Sequence, residues 1–275
     1  MYTLNCKGRL LVLDKPVVMG ILNITPDSFY SGSRIKHDEV LQKAGQMINE
    51  GATILDIGGQ STRPGSDRLS ADEELERVLP AIEAIKKEFP AAFLSIDTYH
   101  AKVAKETVSA GIDIVNDISA GELDEAMLST VASLKVPFIA MHMQGTPDTM
   151  QQNPTYENIT REVVDYFIQK TAVCKAAGIV DLILDPGFGF GKTITHNFQL
   201  LKTMEALQIF HLPILAGLSR KSTIWKTLQV TPEEALNGTT VLNTIALSKG
   251  ATILRVHDVK EAKEAITLID AYSKA

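Results

Sequence analysis

Residues Val17-Val18-Met19-Gly20-Ile21-Leu22-Asn23 show the pattern from which the fold of this chain is predicted. A continuous apolar run is followed directly by an amide side chain. Such a run is typical of a strand that is buried on both faces of a parallel sheet. A polar side chain at its end is costly to bury without a partner. The same pattern recurs along the chain, and its repetition predicts the architecture.

Eight strands of this kind are predicted, with longer amphipathic segments between them. The predicted strands are residues 17–22, 53–57, 93–96, 114–115, 137–140, 182–184, 213–216 and 252–254. Residues 38–50 and 72–88 carry apolar side chains at helical spacing. Thr231-Pro232-Glu233-Glu234 has the N-cap, proline and acidic first turn that open a helix. Eight strand–helix repeats predict an α/β fold, a closed (β/α)8 TIM barrel; a doubly wound open sheet is the alternative.

An N-terminal β-hairpin is predicted ahead of the barrel, because Lys7-Gly8 splits the apolar residues of segment 4–13. The hairpin could plug the bottom of the barrel. A length of 275 residues suits one barrel, which commonly takes about 250 residues. Since no linker divides the chain, we expect a single domain over residues 1–275, with the hairpin in 1–14 and the barrel in 15–275.

Composition excludes several classes of protein. The net charge of −6 argues against non-specific binding to nucleic acid. No apolar run reaches the roughly 20 residues that span a bilayer, and the N-terminus lacks the layout of a signal peptide. Cys6 and Cys174 form no C-x-x-C pair, so we expect reduced cysteines in a cytoplasmic protein.

Nearly every predicted strand ends in a polar residue. These residues are Asn23, Asp56, Asp97, Asn116-Asp117, His142, Asp185, Ser219-Arg220-Lys221, Arg255 and His257. In a barrel all of them converge on the carboxyl rim, where barrel active sites lie. We therefore predict an active site there. For Asp56 and Asp117, helix capping or support of a neighbouring residue is an alternative role.

The chemistry of the rim indicates two kinds of ligand. Carboxylates, an amide and an ammonium, as in Asp97, Asn116, Asp185 and Lys221, can bind a flat heterocycle with a guanine-like edge. Arg255 and His257, with Asn23 across the rim, form a plausible anion site, because an arginine fork matches a phosphate.

Ordered motifs along the whole chain carry a resemblance to a known family. They are residues 19–29 (MGILNITPDSF), 56–65 (DIGGQSTRPG), 95–98 (SIDT), 116–118 (NDI), 141–145 (MHMQG), 185–192 (DPGFGFGK), 219–222 (SRKS) and 255–257 (RVH). Together they resemble the dihydropteroate synthase family. Each motif alone is weak evidence, but the ordered set is specific and runs from the first strand to the last.

The resemblance implies a transferase of folate biosynthesis. The family joins 6-hydroxymethyl-7,8-dihydropterin diphosphate to p-aminobenzoate and releases diphosphate and 7,8-dihydropteroate. It also implies Mg2+ as cofactor, inhibition by sulfonamides, and a homodimer that pairs through outer helices of the later repeats.

The resemblance further implies roles for individual residues. Pterin binding falls to Asp97, Asn116, Met141, Asp185 and Lys221. Diphosphate binding falls to Asn23, Arg255 and His257, with Asn23 also holding Mg2+. The p-aminobenzoate pocket comprises Thr62, Arg63, Pro64, Phe190, Lys221 and Ser222. The catalytic set is Asn23, Arg63, Lys221, Arg255 and His257.

One position departs from the family pattern. The family often continues the first motif as Phe-Ser-Asp-Gly-Gly, whereas this chain has Phe29-Tyr30-Ser31-Gly32-Ser33. Ser31 therefore stands where the family has an acid, and no carboxylate role in closing the first loop carries over to it.

Three rival functions are weaker. The segment 186–193 ends in Gly-Lys-Thr like a phosphate-binding P-loop, but Pro186 stands where that motif needs glycine. A methyltetrahydrofolate-dependent corrinoid methyltransferase would share the pterin-binding barrel but would not need the 61–65 or 219–222 segments. A catalytically inactive pterin-binding barrel would have lost rim residues, and none is missing.

Overall fold

The structure is a computed structural model that describes residues 1–24, 34–60, 68–146, 150 and 154–275. None of the helices in these ranges is long and apolar enough to cross a membrane. Cys6 and Cys174 are both free, and both are buried. Division of the chain into domains stays a prediction.

Eight parallel strands form one sheet within the described residues, preceded by a two-stranded hairpin. The hairpin strands are β1 (Tyr2–Cys6) and β2 (Arg9–Leu13). The parallel strands are β3 (Val17–Asn23), β4 (Ala52–Gly58), β5 (Phe93–Asp97), β6 (Ile114–Asp117), β7 (Phe138–Met141), β8 (Leu182–Asp185), β9 (Leu215–Ala216) and β10 (Ile253–Val256). Their order is β8-β7-β6-β5-β4-β3-β10-β9.

The ends of this sheet meet, which closes it into a barrel. A parallel bridge joins Leu184 of β8 to Ile214, just before β9. The Leu184 amide donates to the carbonyl of Pro213 at 2.9 Å. The closed barrel confirms the predicted fold and excludes the open doubly wound sheet.

The hairpin covers the bottom of the barrel, as predicted. Lys7 and Gly8 both have positive φ, at 52° and 89°, which suits a two-residue turn between antiparallel strands. Leu4, Cys6, Leu11 and Leu13 of the hairpin form one buried cluster with inward-pointing residues of the barrel. These are Met19, Ile54, Ile114, Ile139, Ile183, Leu215 and Ile253.

Helices surround the barrel. They are α1 (Arg34–Asn49), α2 (Ala71–Glu88), α3 (Ala101–Ala110), α4 (Met127–Leu134), α5 (Ile159–Ala177), α6 (Ile194–Lys202), a 3-10 helix (Met204–Phe210), α7 (Ser222–Leu228), α8 (Leu236–Ser248) and α9 (Val259–Ser273). The predicted helices 38–50 and 72–88 correspond to α1 and α2. Ser70 caps α2 in a capping box with Glu73, which explains its sharp start.

The predicted helix start at Thr231 is wrong. Residues 231–235 form a turn in which the Glu234 amide donates to the Thr231 carbonyl at 3.2 Å, and α8 begins only at Leu236. Arg220 contacts this turn: its Nη1 donates to the carbonyls of Pro232 at 3.1 Å and Glu233 at 2.8 Å, which helps to hold residues 231–235 in place.

Candidate active site

The polar strand ends do converge on the carboxyl rim of the barrel. Arg255, which enters from β10, reaches across the barrel to carboxylates on β4 and β5. Its Nε donates to Asp56 Oδ2 at 2.6 Å, and its Nη2 donates to Asp97 Oδ2 at 2.7 Å. Three residues that are far apart in sequence therefore form one ionic cluster at the centre of the rim.

Electrostatics in this cluster are strongly coupled. Burial raises the pKa of Asp97, against the lowering effect of Arg255, and the nearby charges of Asp56 and Asp117 raise it further. Burial opposes the charge of Arg255, but the two carboxylates outweigh it and raise the pKa of Arg255 above its ordinary value. The guanidinium is therefore permanently charged, and Asp97 takes a proton more readily than a surface aspartate does.

Asp56 accepts hydrogen bonds from two neighbouring rim residues, Arg255 and Asn116. It is fully buried, and its Oδ2 also accepts from Asn116 Nδ2 at 3.2 Å. The structure gives the buried Oδ1 of Asp56 no hydrogen-bond partner among the described residues, and the same holds for the buried Oγ of Ser95. Asp56 and Ser95 are paired in register on β4 and β5. Of the two alternative roles raised for Asp56, support of a neighbouring residue is the one that these contacts fit.

The other side of the rim brings Asp185 and Lys221 into one site. Asp185 ends β8, is buried, and accepts from the Gly187 amide at 2.8 Å. Lys221 donates from Nζ to the carbonyl of Phe188, and its Nζ lies 4.6 Å from the centroid of the Phe190 ring. Desolvation lowers the pKa of Lys221 to about 8, although Asp185 acts in the opposite direction.

An apolar patch lies beside these polar groups. Tyr99, Ile118 and Met141 are buried together, and Phe190 and Met143 pack against them. Such a wall suits a flat ring whose edge bonds to the polar groups. Met141, which is predicted to bind the pterin, lies in this patch. Tyr99 lies there too, although a single aromatic residue carries no signal in the sequence.

His257 and its neighbours form the edge of the rim. Ser219 Oγ lies 3.0 Å from His257 Nδ1 and accepts from the His257 amide at 3.2 Å. Partial desolvation and then the charge of Arg255 lower the pKa of His257. His257 is therefore neutral near pH 7 and offers an N–H rather than a full charge. Asn23 ends β3 and is exposed at the rim.

Arg220 and Asp117 serve the scaffold. Arg220 forms a bidentate ion pair with Asp258, with distances of 2.9 Å from Nε and 2.7 Å from Nη2. Asp117 is fully buried and accepts from the amides of Ser119 at 2.7 Å and Gly121 at 2.8 Å. Asp117 thus holds the loop after β6, in line with the supporting role considered for it.

Some predicted residues lie outside the described residues. These are Thr62, Arg63 and Pro64, together with Ser31 and its loop. Phe190 and Ser222 are described, and both adjoin Lys221: Phe190 through its ring, and Ser222 as the first residue of α7.

Sequence reasoning also missed Lys192 and His142 as a pair. Lys192 Nζ lies 2.9 Å from His142 Nδ1 and donates to the carbonyls of Gly187 and Phe190, both at 2.9 Å. In the sequence, Gly191-Lys192-Thr193 indicates only an incomplete phosphate-binding motif. In the structure the lysine points inward and Thr193 caps α6.

The carboxyl rim of this closed parallel barrel brings together carboxylates, an ammonium and an apolar wall. These features define the class of the protein: a barrel enzyme with a pocket for a flat heterocycle. Comparison with known proteins agrees: the family model described as "Pterin binding enzyme" matches residues 19–257. Dihydropteroate synthase of Escherichia coli (strain K12) is 46% identical over 270 residues, covering 96% of this chain and 94% of that protein.

Solved structures agree as well. The Yersinia pestis dihydropteroate synthase with a sulfonamide drug complex has a TM-score of 0.93 and 43% identity, and covers 100% of both chains. The Xanthomonas albilineans dihydropteroate synthase in complex with 7,8-dihydropteroate has a TM-score of 0.88 and 37% identity, again over 100% of both chains. The chain belongs to the dihydropteroate synthase family of pterin-binding enzymes. It is a transferase that condenses 6-hydroxymethyl-7,8-dihydropterin diphosphate with p-aminobenzoate in folate biosynthesis.

Proposed function

We propose that the rim divides this reaction between a pterin pocket and a diphosphate site, with Arg255 at their boundary. The observation that carries the proposal is the double ion pair of Arg255 with Asp56 and Asp97. It brings the arginine predicted to hold the diphosphate into contact with a carboxylate predicted to hold the pterin. The two halves of one substrate would then meet at this point.

In the pterin pocket, the carboxylates of Asp97 and Asp185 accept from N–H groups at the edge of the ring, the Asn116 amide can accept and donate, and Lys221 donates to the ring carbonyl. Met141 packs against the face of the ring. Burial favours this arrangement, because hydrogen bonds to charged groups are stronger when water is excluded.

The diphosphate site comprises Asn23, Arg255 and His257. Arg255 Nη1 makes no hydrogen bond with any residue that the structure describes, so one side of its fork can donate to a phosphate oxygen. Neutral His257 adds an N–H donor. Together these groups would stabilise charge on the departing diphosphate.

The proposed diphosphate site can accommodate Mg2+ with a single protein ligand. Among the described residues, no three His, Cys, Asp or Glu side chains converge to hold a metal. The exposed Asn23 could supply one amide oxygen, and water and the substrate's phosphate oxygens would complete the coordination that Mg2+ prefers. When bound, Mg2+ would neutralise charge on the leaving diphosphate.

The p-aminobenzoate pocket lies at Phe190, Lys221 and Ser222, with Thr62, Arg63 and Pro64 predicted to complete it from the second loop. The ring of Phe190 beneath the Lys221 ammonium provides an apolar face next to a positive charge, which suits an aromatic carboxylate. Sulfonamides mimic p-aminobenzoate, and we propose that they bind in the same place.

No protein nucleophile is needed for this chemistry. The electron-rich dihydropterin ring can stabilise positive charge on the CH2 group, so the bond to the diphosphate can break ahead of attack by the amine. The chain must then hold the leaving group, orient the amine and keep water out. Arg63 and the first two loops are predicted to help in the last two tasks.

A product assay tests the proposal. The protein is mixed with the pterin diphosphate and p-aminobenzoate, with Mg2+ or with a chelator, and dihydropteroate is measured by mass. We expect product that depends on Mg2+. Product formation that is equal with the chelator would overturn the metal assignment, and no product in either case would favour the inactive barrel.

We further propose a cytoplasmic homodimer. Apolar side chains of α7, α8 and α9 are exposed, and a second copy of the chain would cover them. They are Leu228, Val241, Ile245, Leu268 and Tyr272. Sedimentation equilibrium of the wild type and of a Val241→Glu variant tests this: we expect a dimer that the variant weakens, and a wild-type monomer would contradict it.

A further inference from the structure

Lys192 is a buried lysine, and its charged group must be stabilised by contacts within the protein. Its side chain is 3% exposed, and no described carboxylate lies within ion-pair distance of it. Burying an ammonium without such a partner is costly unless hydrogen bonds replace its water. Burial lowers the pKa of Lys192 to about 7, although the field of Asp185 opposes the shift.

The acceptors around Lys192 come from two separate loops. From the loop after β7, His142 offers Nδ1 at 2.9 Å and its carbonyl at 3.3 Å. From the loop after β8, the carbonyls of Gly187 and Phe190 each lie at 2.9 Å. Burial lowers the pKa of His142 far below its ordinary value, so its ring is neutral and Nδ1 can accept from the ammonium. Lys192 therefore ties the two loops together.

The backbone is shaped for this contact. A side-chain carbon at Gly187 would lie 1.9 Å from the carbonyl oxygen of His142, and one at Gly191 would lie 2.6 Å from that of Gln144. Both glycines have positive φ. The two loops thus approach as closely as backbones can, and an internal donor is needed between the carbonyls that face each other.

The loop after β8, which Lys192 contacts, also contacts Lys221. Between Gly187 and Lys192, the carbonyl of Phe188 accepts from Lys221 Nζ, and the ring of Phe190 lies under it. A shift of this loop by a fraction of an ångström would change both contacts.

From this arrangement we infer that Lys192 is a positioning residue, which sets the 186–192 loop so that Lys221 can serve the pterin and p-aminobenzoate pockets together. In this role Lys192 acts through Lys221 and the loop carbonyls that it contacts. The inference rests on the proposed roles of Lys221 and Phe190.

Lys192→Met tests the inference, because methionine keeps the length and removes the donor. We expect kcat/KM for p-aminobenzoate to fall about tenfold or more, since charge-assisted hydrogen bonds that fix the loop are lost. Lys86→Met is the matched control: Lys86 donates to the Ala92 carbonyl at 3.3 Å and Asp113 at 3.1 Å, at the far end of the barrel. Its loss should lower the thermal midpoint and leave kcat/KM unchanged.

A double-mutant cycle separates positioning from a general loss of stability. If Lys192 acts through Lys221, the Lys192→Met, Lys221→Met double variant should be no more than about threefold worse than Lys221→Met alone. Losses that multiply would overturn the inference, as would wild-type kinetics in a folded Lys192→Met protein. Should Lys192→Met not fold, Lys192→Gln, which retains one donor group, takes its place in the cycle.

Hydrogen exchange gives a readout without turnover. Amides of residues 187–193 should exchange about tenfold faster in the Lys192→Met variant, because local opening of the loop becomes easier. Unchanged exchange there would contradict the role of Lys192. If the wild type formed no dihydropteroate, the proposed function would fail while this exchange result would still report on the loop.

Discussion

The two ends of the barrel interior can be compared along single strands. Side chains two residues apart on a strand point to the same face, so each inward position near the amino end has a partner one step nearer the carboxyl rim. In four of these pairs the partner is polar: Ile54 and Asp56, Ile114 and Asn116, Ile183 and Asp185, and Ile253 and Arg255. The amino end is hydrocarbon under an apolar hairpin, whereas the carboxyl end is ionic.

This contrast indicates that the amino end of the barrel interior mainly stabilises the fold, whereas the carboxyl end mainly serves function. At the amino end, burial of apolar side chains stabilises the fold, and no described residue there has a buried side-chain N or O atom without a partner. At the carboxyl end, burial opposes ionisation and raises the pKa values of Asp97 and Asp185. Asp56 Oδ1 has no hydrogen-bond partner there among the described residues. Perturbed ionisable groups of this kind cluster where ligands bind. Substitutions at the two ends should therefore have opposite signatures.

The largest effect is expected at Arg255. Arg255→Ala removes the cation shared by Asp56 and Asp97 and the proposed donor to the diphosphate, so we expect turnover to fall about a thousandfold. Steady-state assays of dihydropteroate formation measure it. Arg9→Ala is the control from the other end, where Arg9 donates to the Ala91 carbonyl at 2.6 Å; it should lower stability and spare turnover. Wild-type activity in Arg255→Ala would refute the diphosphate assignment.

The next effect is on stability alone. Leu11 is 3% exposed in the hairpin cluster, and Leu11→Ala should lower the free energy of unfolding by about 2–5 kcal/mol through lost burial and a residual cavity. Urea denaturation measures this change. Val12, on the same strand, is 43% exposed, and Val12→Ala should change stability by less than about 0.5 kcal/mol. Equal losses in the two variants, or altered kcat/KM in Leu11→Ala, would contradict the separation of the two ends.

The smallest effect concerns pH. Desolvation holds the pKa of Lys221 near 8, so the ammonium is present below that value and lost as pH rises through it. On the acid side, the raised pKa of Asp97 means that its carboxylate is lost as pH falls from a higher value than for a surface aspartate. We therefore expect kcat/KM to follow a bell-shaped curve, with a maximum below the Lys221 pKa of about 8 and a decline of about tenfold per unit on each limb.

The alkaline limb can be assigned with Lys221→Gln. This variant retains a donor but does not titrate, so its kcat/KM should be lower throughout and should show no decline near pH 8. A decline that persists unchanged in the variant would show that another group controls the alkaline limb.

Much of the fold followed from sequence for a simple reason. The strands are apolar runs that end in polar residues, and each signal is local. Residues 38–50 and 72–88 were helical as predicted, because their apolar stripes and the Ser70 cap lie within the segment itself. The helix start predicted at Thr231 was wrong. Arg220, eleven positions earlier, donates to the carbonyls of Pro232 and Glu233 and helps to hold this segment in a turn.

By itself, then, the sequence determined the closed parallel barrel, the hairpin, the set of rim residues and, through its ordered motifs, the family. Only the tertiary structure decided which rim residues bind one another. It placed Arg255 between Asp56 and Asp97, turned Arg220 toward Asp258, and directed Lys192 inward to the carbonyls of its own loop. The physical reason is separation along the chain. Hydrophobic periodicity depends on neighbouring residues, whereas partners such as Asp56 and Arg255 are far apart in sequence and meet only when the barrel closes.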